Sequence, residues 1–412
     1  MRRTAVFGLA VVALLGGLGL GMFAALGAAP SGSTAPGSGQ LATLSSTPPS
    51  SRPSTLASPQ PSSSSSIPPA VAPSLSPAPS ASPAAPPSPK PSLVAAALTG
   101  RLVSPLAASR HPIAVMVDDL SPARPQSGFT AASIIWQAPA EGGIPRYMMV
   151  FQENIPTDVG PVRSSRYYYI AWAAELRALY AHSGGSPQAL ATLRTQGTGQ
   201  LVYNADEFRW GGSFRRVSTR AAPHNLFTTG KQLRGIAATV GARDVPINWP
   251  WTFAPDAAPG RRPVGGRIEV TYGSVNAIRY AYDRNSNTYL RSVTGEKHQI
   301  DAATGLRVAP KNVIVMVMHF GPLNDGSPKH RLEAMVIGSG PAWISTNGIT
   351  IKGTWKKTSL TSPTRFLDRT GKVLTLTVGQ TFVQVMKTSD RIAFVAGMPA
   401  PPDPRPIGRD PL

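Results

Sequence analysis

The chain has 412 residues, 43 prolines, no cysteine, and 40 Lys+Arg against 20 Asp+Glu, which gives a formal net charge of +20. The absence of cysteine excludes disulfide scaffolds, thiolate metal sites and cysteine nucleophiles. The positive charge favours an acidic partner, such as a nucleic acid, an anionic lipid or a wall polymer. Hydrophobic residues make up 42% of the chain, enough for a core, whereas the proline excess indicates that part of the chain stays unfolded.

An uncharged apolar run from about position 6 to position 29 follows Arg2 and Arg3. About 20 such residues suffice to cross a bilayer, and the preceding positive charge predicts that the N-terminus lies inside. The same pattern fits a cleaved secretory signal with small residues near Ala25 and Gly27, so both interpretations remain open. In either case we expect the rest of the chain outside the cytoplasm, away from intracellular nucleic acid. A lipoprotein signal is excluded, because the chain has no cysteine to acylate.

Composition divides the chain into segments of different character. Residues 30–97 are almost wholly Pro, Ser, Ala, Thr and Gly, which predicts an extended, disordered stalk. The part after the stalk carries about +16 of the net charge. We predict a membrane anchor or signal peptide at 1–29, the stalk at 30–97, an α/β ligand-binding domain at 98–245, a linker at 246–266, an antiparallel β domain at 267–397 and a Pro-rich tail at 398–412.

Short apolar runs alternate with helical patterns in the first of the two predicted domains. The apolar runs predict strands at 113–117, 133–138, 146–151, 179–183 and 200–203. The helical patterns lie at 164–178, 186–196 and 229–240. This alternation indicates an α/β or α+β domain with a mixed sheet. The second domain has short β-branched or aromatic runs divided by turn residues, which predict a mainly antiparallel β domain.

Polar residues follow the predicted strands of the first domain where each strand ends. Ligands of α/β sheets gather beyond the carboxyl ends of the strands, so we predict a binding site there. The segments HSGGSPQAL (182–190) and GPVRSSR (160–166) predict turns before helices capped by Ser186 and by Ser164 or Ser165, and such helix starts can bind anions or serve only as caps. The candidate anion-binding residues are Arg124, Arg146, Arg163, Ser164, Arg166, Gly184, Gly185, Ser186 and Asn225.

Three residues are candidates for a general acid or base: Glu141, His182 and His224. Glu141 with Asp118 or Asp119 could also form the carboxylate pair of a glycosidase, although the sequence does not give their separation. The chain has no HExxH, GxSxG or SxxK motif, and neither histidine has a neighbour at metal-ligand spacing, so we expect no metal and no cofactor. The alternative is that both histidines are structural.

Several of these segments together resemble the YerB-like envelope lipoproteins, the family of the domain of unknown function 3048. The resemblance covers essentially residues 98–397 and implies a two-domain extracytoplasmic protein held at the membrane, with no catalytic residue assigned. Because this chain lacks the lipid-accepting cysteine, a spanning helix would replace the lipid anchor. The resemblance rests on ARPQSG (123–128), EGGIPR (141–146), GPVRSSR (160–166), HSGGSPQA (182–189), APHNLFT (222–228), DAATG (301–305), KNVIVM (311–316) and SPTRFLD (362–368).

These observations predict a membrane-tethered envelope protein whose first domain binds an anionic ligand. The expected ligands are an anionic wall polymer, peptidoglycan or an acidic protein partner, and not a nucleic acid. One alternative is a metal-independent hydrolase of wall glycan or peptide that uses Glu141 with His182 or His224. A second alternative is a scaffold that binds partner proteins through the β domain.

Overall fold

The computed structural model describes residues 92–273 and 276–399. The predicted anchor, most of the stalk and most of the tail therefore lie outside the described residues. Within those two ranges, no helix has the length and apolar character needed to cross a membrane. The described α-helices are short: α1 (Pro105–Ser109), α2 (Tyr167–Ala173), α3 (Pro187–Gln196) and α4 (Gly230–Thr239).

Strands make up most of the regular structure. The first half of the described chain contains β1 (Val94–Ala95), β2 (Leu102–Val103), β3 (Ile113–Asp118), β4 (Ile134–Pro139), β5 (Pro145–Phe151), β6 (Leu179–His182), β7 (Tyr203–Asp206), β8 (Arg215–Arg216), β9 (Leu226–Phe227) and β10 (Thr252–Ala254). The second half contains β11 (Arg267–Tyr272), β12 (Asn276–Asp283), β13 (Thr288–Val293), β14 (Asn312–Met318), β15 (Phe320–Pro322), β16 (Leu332–Ala334), β17 (Gly338–Thr346), β18 (Ile349–Lys357), β19 (Arg365–Leu367), β20 (Thr375–Thr377), β21 (Thr381–Lys387) and β22 (Arg391–Val395).

A mixed sheet of ten strands runs through both halves of the chain, in the order β19-β18-β17-β14-β21-β4-β5-β3-β6-β7. Strand β21 lies between β14 and β4 and is parallel to both. On the far side of β21, the successive pairs β14–β17, β17–β18 and β18–β19 are antiparallel. The sheet therefore passes without a break from the first predicted domain into the second.

A second, four-stranded antiparallel sheet, β13-β12-β11-β22, lies over one face of the large sheet. Tyrosines of this small sheet, including Tyr272 and Tyr280, pack in one hydrophobic cluster with Phe382 of the large sheet. The opposite face of the large sheet packs against α2 and α3, and there Trp136 and Trp172 stack with ring centroids 4.9 Å apart. The predicted fold class is confirmed: a mixed sheet with few helices comes first, followed by mainly antiparallel strands.

A buried arginine joins the two sheets. Arg291 on β13 donates hydrogen bonds to the hydroxyl oxygens of Tyr280 (2.9 Å) and Tyr147 (3.2 Å) and to Oε1 of Gln137 (2.6 Å). Its guanidinium carbon lies 4.7 Å from the ring centroid of Phe382. Tyr147 and Gln137 belong to the first half of the chain, so these contacts link distant parts of the sequence.

Two of the family-like segments also meet in the structure. Asp301, the first residue of DAATG, accepts hydrogen bonds from the backbone nitrogens of Gly128 (3.0 Å) and Thr130 (2.8 Å) and from the Thr130 hydroxyl (2.6 Å). Gly128, the last residue of ARPQSG, has a φ of +109°, which favours glycine. The two segments thus serve packing between the halves of the chain.

The predicted segments correspond closely to the observed elements, and four of the differences have a clear physical reason. Strand β7 begins at Tyr203, not at 200, because Leu201 and Val202 fill the core ahead of the strand. The N-cap of α2 is Arg166, without a side-chain hydrogen bond, because the Ser165 hydroxyl pairs with the Tyr180 hydroxyl at 2.9 Å. Ser164 or Ser165 as the cap was therefore wrong.

The other two differences concern segments that were predicted to lack structure. The last residues of the predicted stalk, 92–97, have regular structure, because β1 pairs with β2 and Ala96 is buried. The predicted linker contains the buried residues Trp249 and Trp251. Strand β10 of the same segment pairs with β20, so the linker is part of the core.

Candidate functional site

The carboxyl ends of β3, β4, β6 and β7 meet at one edge of the large sheet, because these strands are parallel. The loop 160–166 crosses this edge. Within the loop, the Arg163 nitrogen donates to the Met116 carbonyl at 2.9 Å, and the Arg163 carbonyl accepts from the Ser183 nitrogen at 3.1 Å. The structure therefore brings the loop against the ends of β3 and β6, where a site was predicted.

Three arginines and a glutamate lie together at this edge. Arg166 donates two hydrogen bonds to Glu141, from Nε and Nη2, each 2.7 Å long. Arg146 places Nη2 3.8 Å from the same carboxylate and donates from Nη1 to the Ser164 carbonyl at 2.9 Å. We call Arg146, Arg163 and Arg166 the arginine cluster. Glu141 pairs with both Arg146 and Arg166, and Asp118 pairs with Arg163. The positive charges of the cluster therefore outnumber the carboxylates that neutralise them.

Burial and neighbouring charges shift the pKa values of Arg146 and Glu141. Burial lowers the pKa of Arg146 from 12.5 to about 10, and the charges of Arg166 and Arg163 act in the same direction. Burial acts to raise the pKa of Glu141, but the hydrogen bonds and charge of Arg166 outweigh it and hold that pKa below its ordinary value. Glu141 is thus held as a carboxylate, which suits the binding of arginines better than the donation of a proton.

Arg163 is the most exposed member of the arginine cluster, with 20% of its side chain exposed. Its Nε lies 3.0 Å from Oδ2 of the buried Asp118, a close ion pair without hydrogen-bond geometry. Among the residues that the structure describes, its terminal nitrogens make no hydrogen bond. The terminal nitrogens of Arg163 can therefore donate to a ligand while Nε stays paired with Asp118.

His224 shares Asp118 with Arg163. Its Nδ1 lies 2.7 Å from Asp118 Oδ2, and 15% of its side chain is exposed. The Leu120 nitrogen also donates to this carboxylate, to Oδ1 at 3.2 Å, so the acid is held on both oxygens. Because the buried Asp118 binds Nδ1, the other ring nitrogen, Nε2, can accept a proton from a substrate. A histidine that acts as a general base is held in the same way.

His182 is enclosed. Its side chain is 0% exposed, Nδ1 lies 2.8 Å from the Gly184 carbonyl, and Nε2 lies 2.8 Å from Oδ1 of Asn204. Both ring nitrogens are therefore occupied, so the geometry favours the structural interpretation of His182.

The glycine turn after β6 is also occupied. The Gly184 nitrogen donates to Oδ1 of Asp206 at 3.2 Å, and Gly185 forms a bridge with Ser165. Gly184 has a φ of +61°, which favours glycine. Ser186 caps α3 as predicted, accepting from the Ala189 nitrogen at 3.3 Å. Because a carboxylate already faces the turn, the turn is better suited to capping than to binding an anion.

Two predicted residues make their hydrogen bonds to residues outside the arginine cluster. Arg124 is buried and donates to the carbonyls of Thr294 (2.7 Å) and Asp119 (3.0 Å), so it joins the two halves of the chain. Asn225 accepts from Arg216 Nη1 at 3.1 Å. The structure thus brings together Glu141, Arg146, Arg163, Ser164, Arg166 and His224 through Asp118 and the 160–166 loop, and assigns other contacts to Arg124 and Asn225.

Sequence reasoning missed Arg331 and Glu207. Arg331, which precedes β16, places Nε 4.0 Å from Glu141 Oε1, and no local pattern indicates a contact across nearly 200 positions. Glu207 follows β7, where it accepts from the Ser183 hydroxyl at 2.5 Å and from Arg216 Nη2 at 2.6 Å. The sequence signal for Glu207 was its place after a strand, the same signal that pointed to Asp118 and Glu141.

Comparison with known proteins gives consistent matches. The N-terminal domain model described as "Protein of unknown function (DUF3048)" matches residues 98–243, and the corresponding C-terminal domain model matches residues 268–383. The chain is 30% identical over 306 residues to YerB of Bacillus subtilis (strain 168), whose name marks it as a proposed lipoprotein. That alignment covers 73% of this chain and 89% of YerB. The crystal structure of YerB matches with a TM-score of 0.65 at 26% identity, covering 73% of this chain and 99% of that one.

Proposed function

The chain belongs to the DUF3048 family, as its motifs predicted. We propose that it is a membrane-anchored envelope protein that binds an anionic ligand at the arginine cluster. The relative YerB is named as a proposed lipoprotein. Because this chain has no cysteine to acylate, we propose that the apolar run at 6–29 is the anchor. The domains then lie outside the cytoplasm, beside wall polymers and peptidoglycan.

The uncompensated positive charge around Arg146 is the observation that supports the binding proposal. Its side chain is 11% exposed and feels the charge of Arg166, and its pKa is lowered to about 10. The carboxylate of Glu141 faces both guanidinium groups, so the positive charge there is incompletely balanced. A bound anion would supply the missing negative charge, and arginine binds carboxylate and phosphate through paired hydrogen bonds.

Arg163 gives the direct test, because removing its side chain leaves the Glu141–Arg166 pair in place. The control is Arg369→Ala, which removes the same charge from an exposed position in the loop after β19. The purified full chain in detergent is titrated with labelled peptidoglycan fragments carrying free carboxylates, and separately with a phosphodiester polymer of the teichoic type. Binding is followed by fluorescence anisotropy.

We expect Arg163→Ala to weaken binding of at least one of these probes by about tenfold, since a hydrogen-bonded charge contributes about 1.5–3 kcal/mol. Arg369→Ala changes the affinity by less than about twofold, because an exposed charge away from the site is screened by salt. Equal affinities for both variants and the native chain refute the anion site. Thermal melts of both variants check that the fold is intact.

The contact of His224 with Asp118 favours a second candidate function, hydrolysis of wall glycan or peptide without a metal. In this proposal His224 is the general base, oriented by the buried Asp118, and Glu141 has no proton-transfer role because its pKa is lowered. Digestion of cell-wall substrate by the full chain tests it. We expect cleavage that is lost in His224→Gln and retained in His319→Gln, an exposed histidine elsewhere. Intact substrate after incubation with the native chain refutes it.

A further inference from the structure

An exposed aromatic ring lies at the same sheet edge as the arginine cluster. Phe208, two residues after β7, is 79% exposed, more than any other large hydrophobic residue in the described ranges. Its ring lies against the glycine turn: a β-carbon placed on Gly184 would be 3.4 Å from Phe208 Cε2. The Gly184 carbonyl accepts from the Ser165 nitrogen at 2.9 Å, which ties the turn to the loop that carries Arg163 and Arg166.

The backbone around Phe208 is fixed by several hydrogen bonds. The Phe208 nitrogen donates to Asp206 Oδ1 at 3.3 Å, and the Arg209 nitrogen donates to the Asp206 carbonyl at 3.0 Å. The Glu207 nitrogen donates to the His182 carbonyl at 2.9 Å. The backbone that carries the ring is therefore pre-positioned, which lowers the entropy cost of packing a ligand on it.

Glu207, the residue before Phe208, belongs to a set of polar side chains that bond to one another. Glu207 accepts from the Ser183 hydroxyl at 2.5 Å and from Arg216 Nη2 at 2.6 Å, and Arg216 Nη1 donates to Asn225 Oδ1 at 3.1 Å. The Arg216 side chain is 46% exposed, so it has donors in reach of solvent. We call Ser183, Glu207, Arg216 and Asn225 the Glu207 network. Carboxylate, amide and guanidinium groups can all bond to hydroxyls.

We propose that the ligand of the arginine cluster is an anionic saccharide, with its acidic group on the arginines and a sugar ring packed on Phe208. This inference rests on the proposed function. A pyranose ring offers a face of C–H groups to an aromatic ring and hydroxyls to the Glu207 network. An acidic peptide lacks the ring and its hydroxyls, and polyphosphate has no apolar face at all. The saccharide is the ligand class that uses all three features of this edge.

The test compares three anionic probes on the full chain in detergent: oligogalacturonate, poly-L-glutamate and polyphosphate, at equal charge and salt. The variants are Phe208→Ala, Phe208→Tyr, Arg163→Ala and the control Leu306→Ala, which truncates another exposed apolar residue (61% exposed). We expect Phe208→Ala to weaken oligogalacturonate binding by about five- to tenfold, as loss of a ring contact predicts. Phe208→Tyr restores the binding, and Leu306→Ala leaves it unchanged.

Different failures have different meanings. If Arg163→Ala weakens oligogalacturonate binding and Phe208→Ala does not, the saccharide inference is overturned while the anion site stands. If Phe208→Ala weakens all three probes equally, or if poly-L-glutamate or polyphosphate binds more tightly than oligogalacturonate, the inference is also overturned. If Arg163→Ala leaves all three affinities unchanged, the anion site itself is refuted, and the saccharide inference with it.

Discussion

A buried ion pair between the two halves of the chain offers a sharp test of how the fold is stabilised. Lys357, the last residue of β18, donates from Nζ to Glu175 Oε1 at 2.8 Å, and the two side chains are 1% and 0% exposed. The same Nζ donates to the carbonyls of Leu360 (3.0 Å) and Ser362 (2.7 Å). Glu175 also accepts from the nitrogen (3.1 Å) and hydroxyl (2.6 Å) of Thr364.

The substitution Lys357→Met removes the cation and leaves the carboxylate buried. Glu175 then keeps only the two hydrogen bonds from Thr364, and two carbonyl oxygens lose their donor. Removing one partner of a buried pair costs roughly 3–5 kcal/mol. We therefore expect the free energy of unfolding to fall by about 4 kcal/mol, or the melting temperature to fall by roughly 8 °C at about 2 °C per kcal/mol.

The loss of stability in Lys357→Met should increase with pH. Burial raises the pKa of Glu175 and the charge of Lys357 lowers it, so removing the lysine raises that pKa further. A carboxyl whose pKa rises on folding loses its contribution to stability as the pH increases from its unfolded value, about 4.3, through its folded value. Denaturant unfolding of the purified chain should therefore show a smaller deficit for the variant at about pH 5 than at about pH 8.

A double variant separates charge from packing. In Lys357→Met with Glu175→Gln, the amide oxygen still accepts from Thr364 but carries no charge, so we expect the double variant to be more stable than Lys357→Met alone at about pH 8. The reasoning is refuted if Lys357→Met costs less than about 1 kcal/mol, or if its deficit is the same at both pH values.

Three further predictions concern other contacts of the fold. We expect Arg291→Lys to lower the free energy of unfolding by about 2 kcal/mol or more in denaturant titrations. The reason is that lysine cannot reach the three separate acceptors that the guanidinium binds. An unchanged denaturation midpoint would contradict this. Asp301→Ala leaves the nitrogens of Gly128 and Thr130 unpaired and costs about 2–3 kcal/mol, whereas Asp301→Asn recovers part of the loss; equal melts for the two variants would count against it. Ser186→Ala removes the cap of α3 and costs about 1 kcal/mol in thermal melts, and Ser186→Asp retains most of the stability.

Local sequence patterns predicted the structural features that depend only on residues close together in the chain. The helix start at Ser186 was correct, because cap chemistry spans only three residues. The strand ends at Asp118 and His182 were also located, because an apolar run that stops is visible locally. Such patterns were sufficient for the fold class and for the edge of the sheet that carries the arginine cluster.

Contacts between distant residues could not be predicted in this way. Arg124 looked like an anion ligand, but it bonds to the Thr294 carbonyl, 170 positions away. His182 and His224 were equal candidates in sequence, and only the Asn204 and Asp118 contacts distinguish them. Pairing of side chains across the fold leaves no periodicity, so no single-sequence pattern could reveal it.

The position of β21 has a consequence for how the protein is made. Strand β4, whose six residues are all buried, has β5 on one side and β21 on the other. Until β21 has been synthesised, the other edge of β4 is an unpaired apolar strand. We expect this open edge to favour aggregation until β21, which ends at Lys387, pairs with it. A fragment ending near residue 243 would keep that open edge permanently, so we expect the two family domains to fold together and not separately.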